Sequence, residues 1–213
     1  MNDVRLLEVS FGGWWCGVKF CKEEEIRGPL APRPMRFCEA IAAARTAPIS
    51  LTPELLNCPG GGRALGWNGN EELLAREMAE KARITVEAAH EVLQVTPRIQ
   101  DEITHVVVGT YEAPDVVVAY SQPESAMKLL REWQAAHGEP LQVKVSAFMS
   151  VCGAVAVNAF RNQRICISFG CPEARKHGAI GRDRLVIGLP MSEVEAIVRR
   201  IKEAGQAALQ RVE

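Results

Sequence analysis

Seven cysteines, Cys16, Cys21, Cys38, Cys58, Cys152, Cys166 and Cys171, are the residues of this chain best suited to chemistry. An odd count cannot pair completely within one chain, which leaves metal ligation, a reactive thiol or plain burial as their uses. Cys38, Cys58, Cys152 and Cys171 come from separate segments and supply one thiolate each. That is the complement a four-iron cluster or a tetrahedral zinc requires. No short CxxC pair joins any two of them. Cys16 with Cys21 and Cys166 with Cys171 stand five positions apart, and on a regular strand such positions face opposite sides, so neither pair chelates without a bend. Cys16, Cys21 and Cys166 therefore read as structural.

The surroundings of the four cysteines sharpen the reading. Cys58 opens the run Cys58-Pro59-Gly60-Gly61-Gly62-Arg63. Its glycines, Gly60 and Gly61 among them, let a backbone approach a ligand and turn N–H groups toward sulfide, phosphate or carboxylate, while Arg63 favours a thiolate. A tight turn is the plainer reading of the same glycines. A second Cys-Pro pair, Cys171-Pro172, follows Gly170 and precedes Arg175 and His177. His177 is the best spare ligand or proton carrier among the histidines. Lys19 stands alone in the apolar strand Val18-Lys19-Phe20. Alternation puts it on a solvated face, or else it faces the cysteine loops and offsets thiolate charge.

Two functional classes follow. One is a cysteine-ligated metalloprotein, iron–sulfur before zinc, serving electron transfer to a redox partner protein, substrate chemistry or redox sensing. The other is a metal-free enzyme or binding protein for a small molecule, with Cys58 or Cys171 as the reactive thiol and Lys19, Arg36, Arg63 or Arg175 holding an anion. A protein whose cysteines are merely packed is the third, plainer case. The GxSxG, HExxH and Rossmann GxGxxG signatures are absent.

The 213 residues allow one sizeable core. Apolar residues make up 47% and charged residues 24%, an ordinary globular balance. Net charge is -1, so no basic field draws nucleic acid or anionic lipid. The longest weakly apolar stretch, Phe148 to Phe160, is too short and too interrupted to span a bilayer. Without a secretory pattern at the N-terminus, a cytoplasmic location is expected.

Strands are expected at Trp15 to Cys21, His105 to Thr110, Asp115 to Tyr120, Leu141 to Ser146, Ile165 to Phe169 and Arg184 to Leu189. The two β-branched runs at 105 and 115 read as neighbouring strands. Helices are expected after the loop Pro29 to Pro34, which follows the acidic run Glu23 to Glu25, and at Thr52-Pro53-Glu54. Two more lie between Glu71 and Gln94, divided at Thr85, and others run from Pro123 to His137 and from Ser192 onward. Periodicity does not settle the segment around Cys152. The expected fold is α/β or α+β, a single domain over residues 1–213 with a mixed β-sheet flanked by helices. Trp14-Trp15 is a candidate cover for a homodimer interface or a ligand pocket, as well as for core.

Several of these motifs, in order, carry a resemblance. They are Val18-Lys19-Phe20, Pro34-Met35-Arg36-Phe37-Cys38-Glu39-Ala40, Leu51-Thr52-Pro53-Glu54 and Cys58-Pro59-Gly60-Gly61, then Pro114-Asp115-Val116-Val117, Ser150-Val151-Cys152, Cys171 to Arg175 and Val186-Ile187-Gly188-Leu189-Pro190. Together they resemble the ArCR family, domain of unknown function number 169, over most of the chain. The resemblance brings no assigned activity. It does place the family's cysteine motifs on Cys38, Cys58, Cys152 and Cys171, leaving Cys16, Cys21 and Cys166 outside. The segment Gly12-Gly13-Trp14-Trp15-Cys16 departs from the family pattern.

Overall fold

The computed structural model describes residues 2–23, 28–67, 70–110 and 112–209. The expected acidic run Glu23 to Glu25 falls mostly outside them. The fold is α+β. Six strands, β1 (Trp14–Cys21), β2 (Ile49–Leu51), β3 (His105–Val108), β4 (Val116–Ser121), β5 (Cys166–Ser168) and β6 (Leu185–Pro190), form one sheet in the order β2-β3-β1-β4-β6-β5. Every pairing is antiparallel, where a mixed sheet was expected.

The reason lies in β1. Both β3 and β4 pair with it, and Val108 and Val116 each lie opposite Val18. They run in the same direction, but β1 separates them, so the expected neighbours never form a parallel pair. Their connection, 109–115, crosses the face of β1 above Gly17. It is tied down by Gly109 N–H donating to Gly17 O at 2.8 Å and Asp115 N–H donating to Val18 O at 2.9 Å. Just before β4 begins, the Asp115 carboxylate replaces a strand partner and accepts the Phe20 N–H at 2.7 Å.

Alternation along the strands creates two cores. On one face, Trp14, Cys16, Val18 and Phe20 of β1 and Val116, Val118 and Tyr120 of β4 pack with helices α2 (Phe37–Ala43), α3 (Pro59–Ala64), α4 (Glu71–Ala82), α5 (Val86–Val95), α7 (Asn158–Asn162) and α8 (Pro172–His177). On the other face, Trp15, Val117, Ala119, Ile187 and Leu189 pack with α1 (Asp3–Phe11), α6 (Pro123–His137) and α9 (Met191–Leu209). Trp14 and Trp15 are both buried, one in each core.

Local signals explain most boundaries. Thr85 Oγ1 accepts the Ala88 N–H at 3.1 Å and separates α4 from α5 as expected. Gly138 ends α6 in the left-handed conformation. Thr52-Pro53-Glu54 yields only one 3₁₀ turn, Pro53–Leu55. Leu141 to Ser146 is irregular rather than a strand, while α1 and β2 were not anticipated. The segment Cys152–Val157 is π-helical, with Ala154 and Ala156 donating five residues back, to Met149 O and Val151 O, both at 2.9 Å. It is buried on every side, which explains why it carries no helical period. Gly188 of β6 makes that burial possible, since a Cβ there would lie 2.6 Å from Val155 Cγ1.

Candidate functional site

Each of the four candidate cysteines sits at the start of a short helical segment. Cys58 and Cys171 immediately precede α3 and α8, and each is followed by proline at the first helical position. There the missing N–H costs nothing and the fixed φ suits the helix, so the two Cys-Pro pairs do the same local work. Cys38 is the second residue of α2, and Cys152 opens the π-helical segment. The sheet face and the packing of α2 against α8 bring these starts together. All four cysteines line one cavity of about 240 Å³. Among the described residues this set is the one expected from the sequence. The seven cysteines are all free thiols.

Hydrogen bonds position the sulfurs. Cys58 Sγ accepts the Gly61 N–H at 3.3 Å, and Arg36 Nη1 stands 3.9 Å from it. Ser150 Oγ, fully buried, accepts the Cys171 N–H at 2.5 Å, joining the segment that carries Cys152 to the one that carries Cys171. Cys152 Sγ donates to Met149 O at 3.7 Å. Burial, reinforced by Cys58 and Cys171 nearby, pushes the Cys38 thiol up to about 12, although Arg36 pulls it down in part. Burial also raises Cys58, against the pull of Gly61 N–H and Arg36, and raises Cys152 well above the ordinary thiol value. Without a cation these groups are neutral thiols at pH 7; a metal supplies the charge that makes them thiolates.

The remaining expected contacts divide sharply. Arg36 belongs to the site: it lines the cavity and its Nη2 pairs with Glu173 at 2.9 Å. Gly60 also lines the cavity. Gly60, Gly61 and Gly62 lie inside α3 rather than in a loop, and the Gly61 N–H is already given to Cys58. The expected anion-cradling nest is therefore a helix turn.

Arg63, Arg175 and Lys19 are corrected. Arg63 is buried and holds the end of α5, donating through Nη1 to Thr96 O at 2.9 Å, through Nη2 to Leu93 O, and through Nε to Glu71 at 3.1 Å. Arg175 donates to Gly181 O at 2.9 Å and to Phe169 O, so its guanidinium is occupied by loop carbonyls. Lys19 shares the face of Trp15, opposite the cysteine-bearing core, and its Nζ clamps the crossover by donating to Ala113 O at 2.9 Å. His177 pairs with Glu173 at 3.6 Å and is not part of the cavity wall.

Sequence reasoning missed the rest of the wall. Leu74, Met78 and Ala82 of α4, with Phe148 and Met149, line the same cavity as the four cysteines, as do Glu77 and Lys81. The available signal was the four-residue spacing of Leu74 with Met78 and of Glu77 with Lys81 on one helix. Among the described residues, no three His, Cys, Asp or Glu side chains are grouped closely enough to hold a metal ion. No described helix is long and apolar enough to cross a membrane.

No curated protein and no solved structure matches the chain. The model of an uncharacterised family, ArCR (domain of unknown function 169), matches residues 16–200, a span that includes most of β1, strands β2 to β6 and all four cysteines of the cavity, and leaves α1 outside. The chain therefore belongs to the ArCR family.

Proposed function

We propose that the protein is a cysteine-ligated metalloprotein in which Cys38, Cys58, Cys152 and Cys171 hold an iron–sulfur cluster used in redox or substrate chemistry. The observation that carries this reading is the meeting, at one cavity, of four sulfurs from sequence-distant segments. A polynuclear centre suits the arrangement better than zinc. Four sulfurs at about 2.3 Å from one zinc ion lie within about 4 Å of one another. Among the described residues no three His, Cys, Asp or Glu are grouped closely enough for a single ion, and a cluster, built out by bridging sulfides, is the larger centre. Unpaired thiols in this number also agree with a reducing compartment such as the cytoplasm.

A metal-free thiol enzyme is the second reading, and one feature favours it: Cys58 has both a backbone N–H and Arg36 at its sulfur. Against it, burial holds that thiol up, and three of the four cations expected to bind an anion are engaged elsewhere. Anaerobic reconstitution with ferrous iron and sulfide separates the two. The expected product is brown, with iron and sulfide in matching amounts. A colourless, iron-free protein after strict exclusion of oxygen overturns the cluster, and a single fast-alkylating cysteine would then favour the thiol enzyme.

A further inference from the structure

The cavity that exposes the four sulfurs is wider than the sulfurs need, and the rest of its wall has a definite chemical character. Leu74, Met78 and Ala82 of α4 face it together with Phe148, Met149 and Val151. Its charged residues are Arg36, Glu77, Lys81 and Glu173, two cations and two anions. They cancel in pairs: Lys81 Nζ lies 3.3 Å from Glu77, and Arg36 Nη2 lies 2.9 Å from Glu173. With its charges already paired, the cavity offers a charged ligand no lone counter-ion, and an ion held against the apolar wall loses hydration without compensation; the pairs are partly exposed, so the discrimination they give is modest. Size limits the ligand further. An engineered apolar cavity of about 150 Å³ in another protein takes benzene, so the metal-free cavity of about 240 Å³ admits a single ring with a short substituent, or a short aliphatic chain, and excludes a nucleotide, and a cluster on the four cysteines would take part of that volume.

We infer that this cavity binds a small, uncharged, largely apolar molecule, held between α4 and the 148–151 segment beside the four sulfurs. The inference rests on the cluster reading only for what happens to that molecule. Binding itself depends on the α4 wall and the paired charges, so the two can fail separately.

The test is ligand-observed NMR titration of the full chain, metal-free and after anaerobic iron–sulfide treatment, with toluene and its charged analogues benzoate and benzylammonium as probes. Toluene is expected to bind the metal-free chain saturably and severalfold tighter than either ion, and to bind more weakly once a cluster shares the cavity. Ala82→Trp, which adds bulk to a lining position, should abolish toluene binding while the circular dichroism spectrum is unchanged. Should that variant fold poorly, Glu77→Gln provides a surface alternative: it frees Lys81, and benzoate should then gain severalfold over the parent chain. Equal binding of toluene and benzoate to the parent chain, or toluene binding unaffected by a folded Ala82→Trp, overturns the inference. Toluene binding without iron uptake would sink the cluster and leave this ligand class standing; iron uptake without toluene binding to the metal-free chain would do the reverse.

Discussion

Gly17 and Thr110 meet so closely that no side chain fits between them: a Cβ at position 17 would lie 1.9 Å from the Thr110 carbonyl oxygen. That contact is where the 109–115 crossover rests on β1, and the offending atom is backbone, which cannot rotate away. Gly17→Ala is expected to cost at least about 3 kcal/mol, at or beyond the top of the usual overpacking range. Gly205 of α9 has no heavy atom near the corresponding position, so Gly205→Ala should instead stabilise by about 0.5–1 kcal/mol. Urea denaturation of the two variants checks both signs.

Loss of single cysteines should sort them into two groups. Ala at Cys38, Cys58, Cys152 or Cys171 is expected to lower iron retained after reconstitution severalfold. Cys21→Ala and Cys166→Ala should keep wild-type iron, because neither residue reaches the cavity. Iron and sulfide analysis of folded protein is the readout.

Two arginines that look equivalent in sequence should behave differently. Arg63→Met leaves the Leu93 and Thr96 carbonyls without their donor and should cost about 2–4 kcal/mol, with iron per folded chain unchanged. Arg36→Met removes a partly exposed pair with Glu173, worth about 1 kcal/mol or less, but takes away the cation beside Cys58. It should weaken iron retention while barely shifting the denaturation midpoint.

Asp115 tests the end of the sheet. Burial raises its carboxyl above the ordinary value, although the Phe20 N–H and Lys19 favour the charged form. The unfolded chain therefore releases this proton first, and stability is lost as pH climbs out of the carboxylate range toward the raised folded value. Asp115→Asn keeps an acceptor for Phe20 and removes that loss, so it should be at least as stable as the parent at pH 7. Asp115→Ala leaves the buried N–H unpaired and should cost about 1–3 kcal/mol. Thermal melts of both variants from pH 3 to 7 distinguish them.

Alkaline pH should weaken the metal-free protein through Cys16. Burial raises its thiol from 9.0 to about 12, with the Gly109 N–H opposing the shift. Below the ordinary thiol value both states are protonated and the full stability is present. Above it the unfolded chain ionises first, so stability falls up to the folded value, by as much as about 1.4 kcal/mol per pH unit for this one group. Cys16→Ala should show a shallower decline between pH 9 and 12 in melts of metal-free protein.

Much of the local structure was legible in the chain because it depends on local chemistry. Thr85 divides α4 from α5 by capping, Pro123 and Gly138 bound α6 by their own φ preferences, and the β-branched runs at 105 and 116 become strands. The helix starts at the two Cys-Pro pairs were not expected, and Gly60 to Gly62 were misread as loop because intrinsic helix preference underrates a turn held by packing. Leu141 to Ser146 shows the converse: the segment is irregular, and its Ser146 carbonyl accepts from the Ser168 hydroxyl of the edge strand β5 rather than from a backbone ladder.

What residue types and order determined was that β1 alternates between two faces and where helices such as α5 and α6 begin, since each depends on neighbours along the chain; they also nominated the four cysteines that the tertiary structure places at one cavity. Only the tertiary structure decided that β1 lies between β3 and β4, that Lys19 and Arg63 are fasteners rather than ligand contacts, and that α4 supplies part of the wall of the cavity. These outcomes depend on which side of the sheet a residue faces and on which long-range carbonyls it meets. Such relations arise from packing segments that the linear order keeps far apart.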